Sequence, residues 1–256
     1  NPEDSLSSGS VTVGSDVRAI LEGQGGFAPK FANSVNGYIT VPKATNSALK
    51  DLTAFTLVIH ATFDAADKDT ECMIVSQTDN LTLSSGKMSL RKLANNKINF
   101  GMGGTIDLSS FGEVKCDGKT PTSIIVVVDT TSTSGTIGEL YINGVLQTVD
   151  STATNVIGNY DFVLGKAPSG YGSITGMVGN LEEVLIYSKA YQVVSSSNEY
   201  ILSTINVEDI ASEDASGQSN YTHSALLIAA DYHNFRGTST KEIGMSSPTS
   251  WRATTV

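Results

Sequence analysis

Catalytic or binding chemistry in this chain would have to come from carboxylates, histidines, thiols or exposed aromatics, and spacing limits each set. Glycoside hydrolysis needs two carboxyl groups facing one bond, about 5–5.5 Å apart in the retaining case. The adjacent pair on a predicted strand is Glu182 and Glu183, and consecutive strand residues project to opposite faces. No Glu-x-Asp or Glu-x-Glu alternation falls on a predicted strand, so a glycanase is disfavoured and no catalytic residue is assigned. The histidines His60, His223 and His233 lack metal-ligand spacing, and no Gly-rich loop opens a helix to cradle phosphate. Asp64, Asp67 and Asp69 could supply oxygen ligands to Ca²⁺, the one cofactor left open. The plainer alternative is a solvated acidic loop, with Lys68 in its middle and no EF-hand spacing. Tyr171, in a Gly-rich loop near Tyr160, could stack on a sugar ring while Asn or Asp oxygens bond the hydroxyls. Its alternative is to pack over its own loop. Cys72 and Cys116 could form one bridge in an oxidising compartment, or remain two small hydrophobes in a reducing one.

Bulk properties restrict the partners. The chain has 256 residues, 39% hydrophobic and 16% charged, enough apolar content for a proper core. A formal net charge of -10 argues against nucleic acid or an anionic membrane as the main partner. The longest apolar runs, Ile124 to Val128 and Ala225 to Ala230, are far too short for a membrane span, which implies a soluble protein. The first residue is Asn1, which suggests a cleaved or excerpted chain.

The elements that must position these residues read as strands. Phe55 to Phe63 alternates with period two, placing Phe55, Leu57, Ile59, Ala61 and Phe63 on one core-facing side and His60 on the other. Gly37 to Pro42 is a strand closed by proline. Short strands are predicted at Met73 to Ser76, Leu81 to Ser84, Lys87 to Leu90 and Ile98 to Met102, separated by turn residues. The continuous β-branched run Ser123 to Asp129 fits a central strand covered on both faces. Gly138 to Val149 is a hairpin about Asn143-Gly144, whose type I′ turn should set Ile142 opposite Val145 and Tyr141 opposite Leu146. Strands at Phe162 to Leu164 and Gly179 to Tyr187 follow, then a short helix around 191–205. Many short strands and almost no helix predict an all-β fold, an antiparallel two-sheet jelly-roll sandwich.

Four blocks in order make the chain resemble the laminin-G-like branch of the concanavalin A-like lectin/glucanase superfamily over residues 31–205. They are Phe31 with Gly37 to Pro42; Phe55-Thr56-Leu57 and its alternating run; Val126 to Asp129 with Gly138 to Gly144; and Leu181 to Tyr187. The tryptophan usual in the second block is absent, and Thr122-Ser123 stands where Trp or His is common before the third. The resemblance implies a two-sheet jelly roll, and calcium or glycan binding is common among such domains; residues 1–30 and 206–256 are polar extensions outside it, the latter matching nothing in the family. It does not fix function, because the fold hosts lectins, adhesion modules, glycanases and structural domains. About fifty polar residues beyond the closing helix exceed what a free lectin domain needs, and ordered polar arms imply neighbouring subunits that hold them. The expectation is therefore a non-catalytic component of a larger exported or virion assembly, such as a decoration, fibre or adhesin protein. Its partners would be other protein subunits, with a surface glycan as a further ligand. The alternative is a carbohydrate-binding lectin or adhesion module at a cell surface.

Overall fold

The computed structural model describes residues 7–10, 12–13, 18–21, 27–34, 36–42, 52–79, 86–152, 160–168, 174–187, 190, 193, 224–230 and 251–255. In chain order the strands begin with β1 Ser7–Ser10, β2 Thr12–Val13, β3 Arg18–Leu21, β4 Phe27–Phe31, β5 Ile39–Val41 and β6 Ala54–Phe63. They continue with β7 Cys72–Gln77, β8 Met88–Lys92, β9 Ile98–Met102, β10 Ile106–Ser109, β11 Pro121–Asp129 and β12 Gly138–Ile142. The last are β13 Val145–Asp150, β14 Phe162–Leu164, β15 Thr175–Gly176, β16 Gly179–Tyr187, β17 Ser224–Ala230 and β18 Trp251–Thr255. The predicted strand at Leu81 to Ser84 and the helix at 191–205 lie outside the described residues.

Two sheets result. The first runs β1-β18-β17-β16-β6-β11-β12-β13, with β3 and β4 joined to it through β16; the second runs β10-β9-β8-β7-β14-β5-β2, with β15 on β7. Every pairing except β15 on β7 is antiparallel. The all-β two-sheet sandwich read from the sequence is the fold of this chain. The extensions at 1–30 and 206–256 add strands to it: β17 pairs β16, β18 pairs β17 and β1, and β2 joins the second sheet through β5.

Period-two alternation explains the core. Phe55, Leu57, Ile59, Ala61 and Phe63 of β6 face Ile39, Val41, Leu90, Phe100, Phe162 and Leu164 of the second sheet in one buried cluster. Each such side chain taken fully out of water contributes about 1.5–3 kcal/mol. Phe55 meets Phe100 edge to face, ring centroids 6.3 Å apart, the geometry aromatic quadrupoles prefer.

The outer faces of the two sheets differ in chemistry. On the first, Val58, Ile125, Val127, Tyr141 and Tyr187 form a second buried cluster, covered by Val193 and Ala190. That accounts for the unbroken β-branched run of β11, which lies between β6 and β12 and is buried on both sides. The second sheet instead turns a polar ladder outward. Arg91 donates to Glu71 (2.9 Å) and to Asn99 (2.7 Å), and Asn99 donates to Asp107 (2.6 Å).

The hairpin has the expected register, with Ile142 opposite Val145 and Tyr141 opposite Leu146, before a bulge between Leu140 and Tyr141. Asn143 and Gly144 take φ of 49° and 79°, as a type I′ turn requires. Asn143 is held further by its side-chain oxygen, which accepts the Ser123 N–H at 2.8 Å. One backbone detail departs from expectation. β16 is bulged between Leu181 and Glu183 against β6, and an extra residue breaks strict alternation. The alternation argument that separates Glu182 from Glu183 therefore does not hold at this point of the strand.

Candidate functional site

The polar outer face of the second sheet carries a cleft of ≈ 530 Å³ across β5, β14 and β7 and the loops beside them. Alternation builds its floor. Ile39 and Val41 are core residues, so Tyr38 and Thr40 turn outward together; Phe162 and Leu164 are core, so Val163 turns outward. Val163 lies opposite Ser76, which completes the row. Loop residues supply the walls: Thr78 and Asp79, Tyr160 and Asp161, and Lys166, Ala167 and Pro168.

Hydrogen bonds fix these loops to β7. Ser76 Oγ donates to the Lys166 carbonyl at 3.3 Å, and Gln77 Nε2 donates to the Tyr160 carbonyl at 3.4 Å. Gly165, with φ of 77°, makes the turn out of β14; its N–H donates to the Ile74 carbonyl at 2.9 Å, and its carbonyl accepts from Met177 N at 3.1 Å. A Cβ at this position would run into the Phe31 ring.

Each tyrosine of the cleft has a cation over its ring. Lys166 Nζ lies 4.6 Å from the Tyr38 centroid, and Lys87 Nζ lies 5.5 Å from that of Tyr160. Such contacts contribute about 0.5–1 kcal/mol when exposed and about 2 when desolvated. Lys87 is also paired with Asp79 at 2.7 Å. The cleft thus combines two aromatic rings, the hydroxyls of Thr40 and Thr78, the Lys166 ammonium and two aspartates, with Lys87 buried beside it. Those groups can stack on a ligand ring and exchange hydrogen bonds with its hydroxyls.

Of the two tyrosines singled out in the sequence, Tyr160 lines the cleft, and Tyr171 lies outside the described residues. Tyr38 was missed, although alternation about Ile39 was signal enough to place it on the outward face. Lys87, Asp79, Asp161 and Lys166 carried no local signal, because only the fold brings their segments together.

Asp64, Asp67 and Asp69 do not converge. Asp64 caps the 3-10 turn Ala65–Asp67 through the Ala66 N–H (3.4 Å) and lies 3.6 Å from Lys30 Nζ. Asp67 points inward at 1% exposure, and both its oxygens accept from Val178 N, at 2.9 and 3.0 Å. Burial pushes its carboxyl up to about 7, over the opposing pull of the Val178 N–H and the Lys92 ammonium. Asp69 is engaged reciprocally with Asn96: Asn96 Nδ2 donates to Asp69 Oδ1 at 2.7 Å, and Asp69 N donates to Asn96 Oδ1 at 2.9 Å. Lys92 is fully buried beside them and donates to the Thr70 carbonyl (2.7 Å), the Leu93 carbonyl (3.2 Å) and Asn96 Oδ1 (3.3 Å). Among the described residues no group of three or more His, Cys, Asp or Glu side chains is arranged to hold a metal ion. These carboxylates, spent on protein donors, do not fit Ca²⁺ as they stand. The solvated-loop alternative misses Asp67 as well, since it is a buried structural carboxyl.

Both cysteines are free thiols, so the bridge expected as one alternative is not formed. Cys72 is a buried core residue on β7 of the second sheet, while Cys116 bridges to Phe63 of the first and is half-buried. Burial pushes both thiols up, so neither is poised as a nucleophile. Among the described residues no helix is long and apolar enough to cross a membrane.

Comparison with known proteins agrees with this architecture. A sequence model of the concanavalin A-like lectin/glucanases superfamily matches residues 33–195. A search of the curated proteins finds no significant match. Among solved structures, the binding domain of botulinum neurotoxin serotype G aligns at 18% identity and TM-score 0.52, covering 74% of this chain and 45% of that one. The binding domain of botulinum neurotoxin DC, solved in complex with rat synaptotagmin II, aligns at 10% identity and TM-score 0.53 over 82% of this chain and 50% of that one. A sialidase from Streptococcus pneumoniae aligns at 14% identity and TM-score 0.51 over 66% of this chain and 26% of that one. The chain thus spans half or less of each of these three structures. At such identities the likeness is one of fold.

Proposed function

The chain belongs to the laminin-G-like branch of the concanavalin A-like lectin/glucanase superfamily, and from that premise we propose that it is a non-catalytic recognition module that binds glycan in the cleft on the outer face of the second sheet. The observation that carries this reading is the pairing of Tyr38 and Tyr160 with hydroxyl and carboxylate groups in one open cleft of ≈ 530 Å³. Ligand sites of this kind present an aromatic platform and a few placed polar groups. The contrast between the sheets supports the same location: an apolar cluster covers the outer side of β6, β11, β12 and β16 in the first sheet, and the second leaves a polar ladder beside the cleft. The module acts outside the cell or at its surface, where such ligands are presented.

The test is a glycan array probed with the whole chain, followed by Tyr38→Ala and Tyr160→Ala. The expected result is specific retention that each variant weakens by about 2- to 12-fold, since stacking on an aromatic face is worth about 0.5–1.5 kcal/mol beyond area burial. Retention unchanged in both variants, or hydrolysis of the bound glycan, overturns the reading.

A second reading, a component of a larger exported or virion assembly, has one observation in its favour. Val145, Leu146 and Val149 are exposed on edge strand β13, beside exposed Phe111, whose N–H donates to Gln147 at 2.9 Å. Exposed apolar edges are places where other chains dock. The C-terminal arm argues the other way, because β17 and β18 pair within the chain and need no neighbouring subunit. Light scattering across a concentration series decides it: a stable oligomer lost on Leu146→Lys favours assembly, and a monomer at all concentrations removes it.

A further inference from the structure

Resting on the cleft reading above, we infer that the ligand is a neutral glycan, recognised through its hydroxyls, and that carboxylate- or sulfate-bearing sugars are excluded. The residues that line the cleft include one lysine, Lys166, and two aspartates, Asp79 and Asp161, so the formal charge of the lining is negative. An anionic sugar group must leave water to enter, and that is offset only by a cation able to turn toward it. Lys87 is not such a cation. It is 6% exposed, lies 2.7 Å from the Asp79 carboxylate and sits over the Tyr160 ring. Lys166 is engaged over the Tyr38 ring at 4.6 Å. No arginine is among the residues that line the cleft, so the bidentate fork that suits carboxylates and sulfates is missing.

Asp79, paired with Lys87, and Asp161 place two carboxylates at the cleft wall. An ionised carboxylate only accepts, so it bonds sugar hydroxyls well and repels a second anion. The long-range field has the same sign, because the whole chain carries a net charge of -10. Both effects favour an uncharged, hydroxyl-rich ring stacked on tyrosine.

The experiment uses the whole chain against matched pairs of immobilised oligosaccharides. The two members of a pair differ by one terminal sugar bearing a carboxylate or a sulfate. Binding is read at low salt and at about 0.15 M, where the Debye length is near 8 Å. The expected result is a neutral member retained and its acidic partner weaker by about tenfold or more, with the gap widest at low salt. Equal or tighter binding of the acidic member, in a signal that Tyr160→Ala removes, overturns this inference and leaves the cleft reading standing. Retention of no glycan at all, or retention that survives both Tyr38→Ala and Tyr160→Ala, overturns the cleft reading and this inference with it.

Discussion

Asp67→Asn should change the pH dependence of stability in a direction fixed by burial. The Asp67 carboxyl is 1% exposed and raised from 3.8 to about 7, chiefly by desolvation. A raised acid binds more protons folded than unfolded between those values, so its contribution is fully present below about pH 4 and lost as pH rises through about 7. At 1.36 kcal/mol for each tenfold change in proton affinity, the loss has an upper limit of about 4 kcal/mol. The groups facing Asp67 are Lys92, Asp64, Cys72 and the Val178 N–H. Both thiols of the cluster are shifted upward, so they stay neutral over this range and do not confuse the reading. The amide variant is the uncharged isostere and can still accept the Val178 N–H. It should be about 1 kcal/mol less stable than wild type near pH 4. Near pH 8 the order should reverse, the variant exceeding wild type by roughly 2–3 kcal/mol, with the crossing between. The assay is urea unfolding across about pH 4 to 8, with equal slopes in denaturant as the check that the denatured states match. A wild-type advantage that is constant, or that grows with pH, refutes the argument; it would mean that Lys92 and Val178 hold the buried carboxylate ionised.

Two further substitutions separate features of the fold. Gly165→Ala forces positive φ on an L side chain and drives its Cβ into Phe31, so thermal unfolding should show a loss of about 2–4 kcal/mol, with the cleft beside Lys166 disturbed as well. Ile125→Ala, in the apolar cluster outside the first sheet, should cost about 2–5 kcal/mol, whereas Leu146→Ala on the exposed edge should cost less than about 0.5 kcal/mol. Similar losses at the two positions would mean that the outer face of the first sheet is not sealed.

Signals carried by neighbouring residues were legible in the sequence. Asn143-Gly144 specified both the turn and the pairing of Tyr141 with Leu146, because a type I′ turn leaves little choice of register. The alternation from Phe55 to Phe63 marked the core face of β6, and the unbroken run at β11 marked a strand covered twice. β10, by contrast, has only Ile106 and Leu108 to announce it, too few positions for a periodic signal. The acidic stretch at Asp64 to Asp69 looked solvated because the donor that turns Asp67 inward, Val178, is 111 residues away in sequence. The cleft shared that difficulty: Tyr160 was found as an aromatic near a loop, but the lysines over the two rings come from segments that only pairing of the sheets unites. The bulge at Leu181/Glu183 was invisible, since nothing in Leu-Glu-Glu-Val marks an extra residue.

The placement of β6 also bears on how the chain is made. β6 is the central strand of the first sheet, yet its partners β11 and β16 lie roughly 60 and 120 residues downstream. At a synthesis rate of about 5–20 residues per second, β6 emerges on the order of 6–25 s before its second neighbour. Throughout that interval Phe55, Leu57, Ile59 and Phe63 form a hydrophobic row with unpaired backbone on at least one side, the template on which nascent chains stick to one another. Yield of this protein should therefore be governed by elongation speed and chaperone occupancy of one ten-residue window, and only weakly by the stability of the finished sandwich.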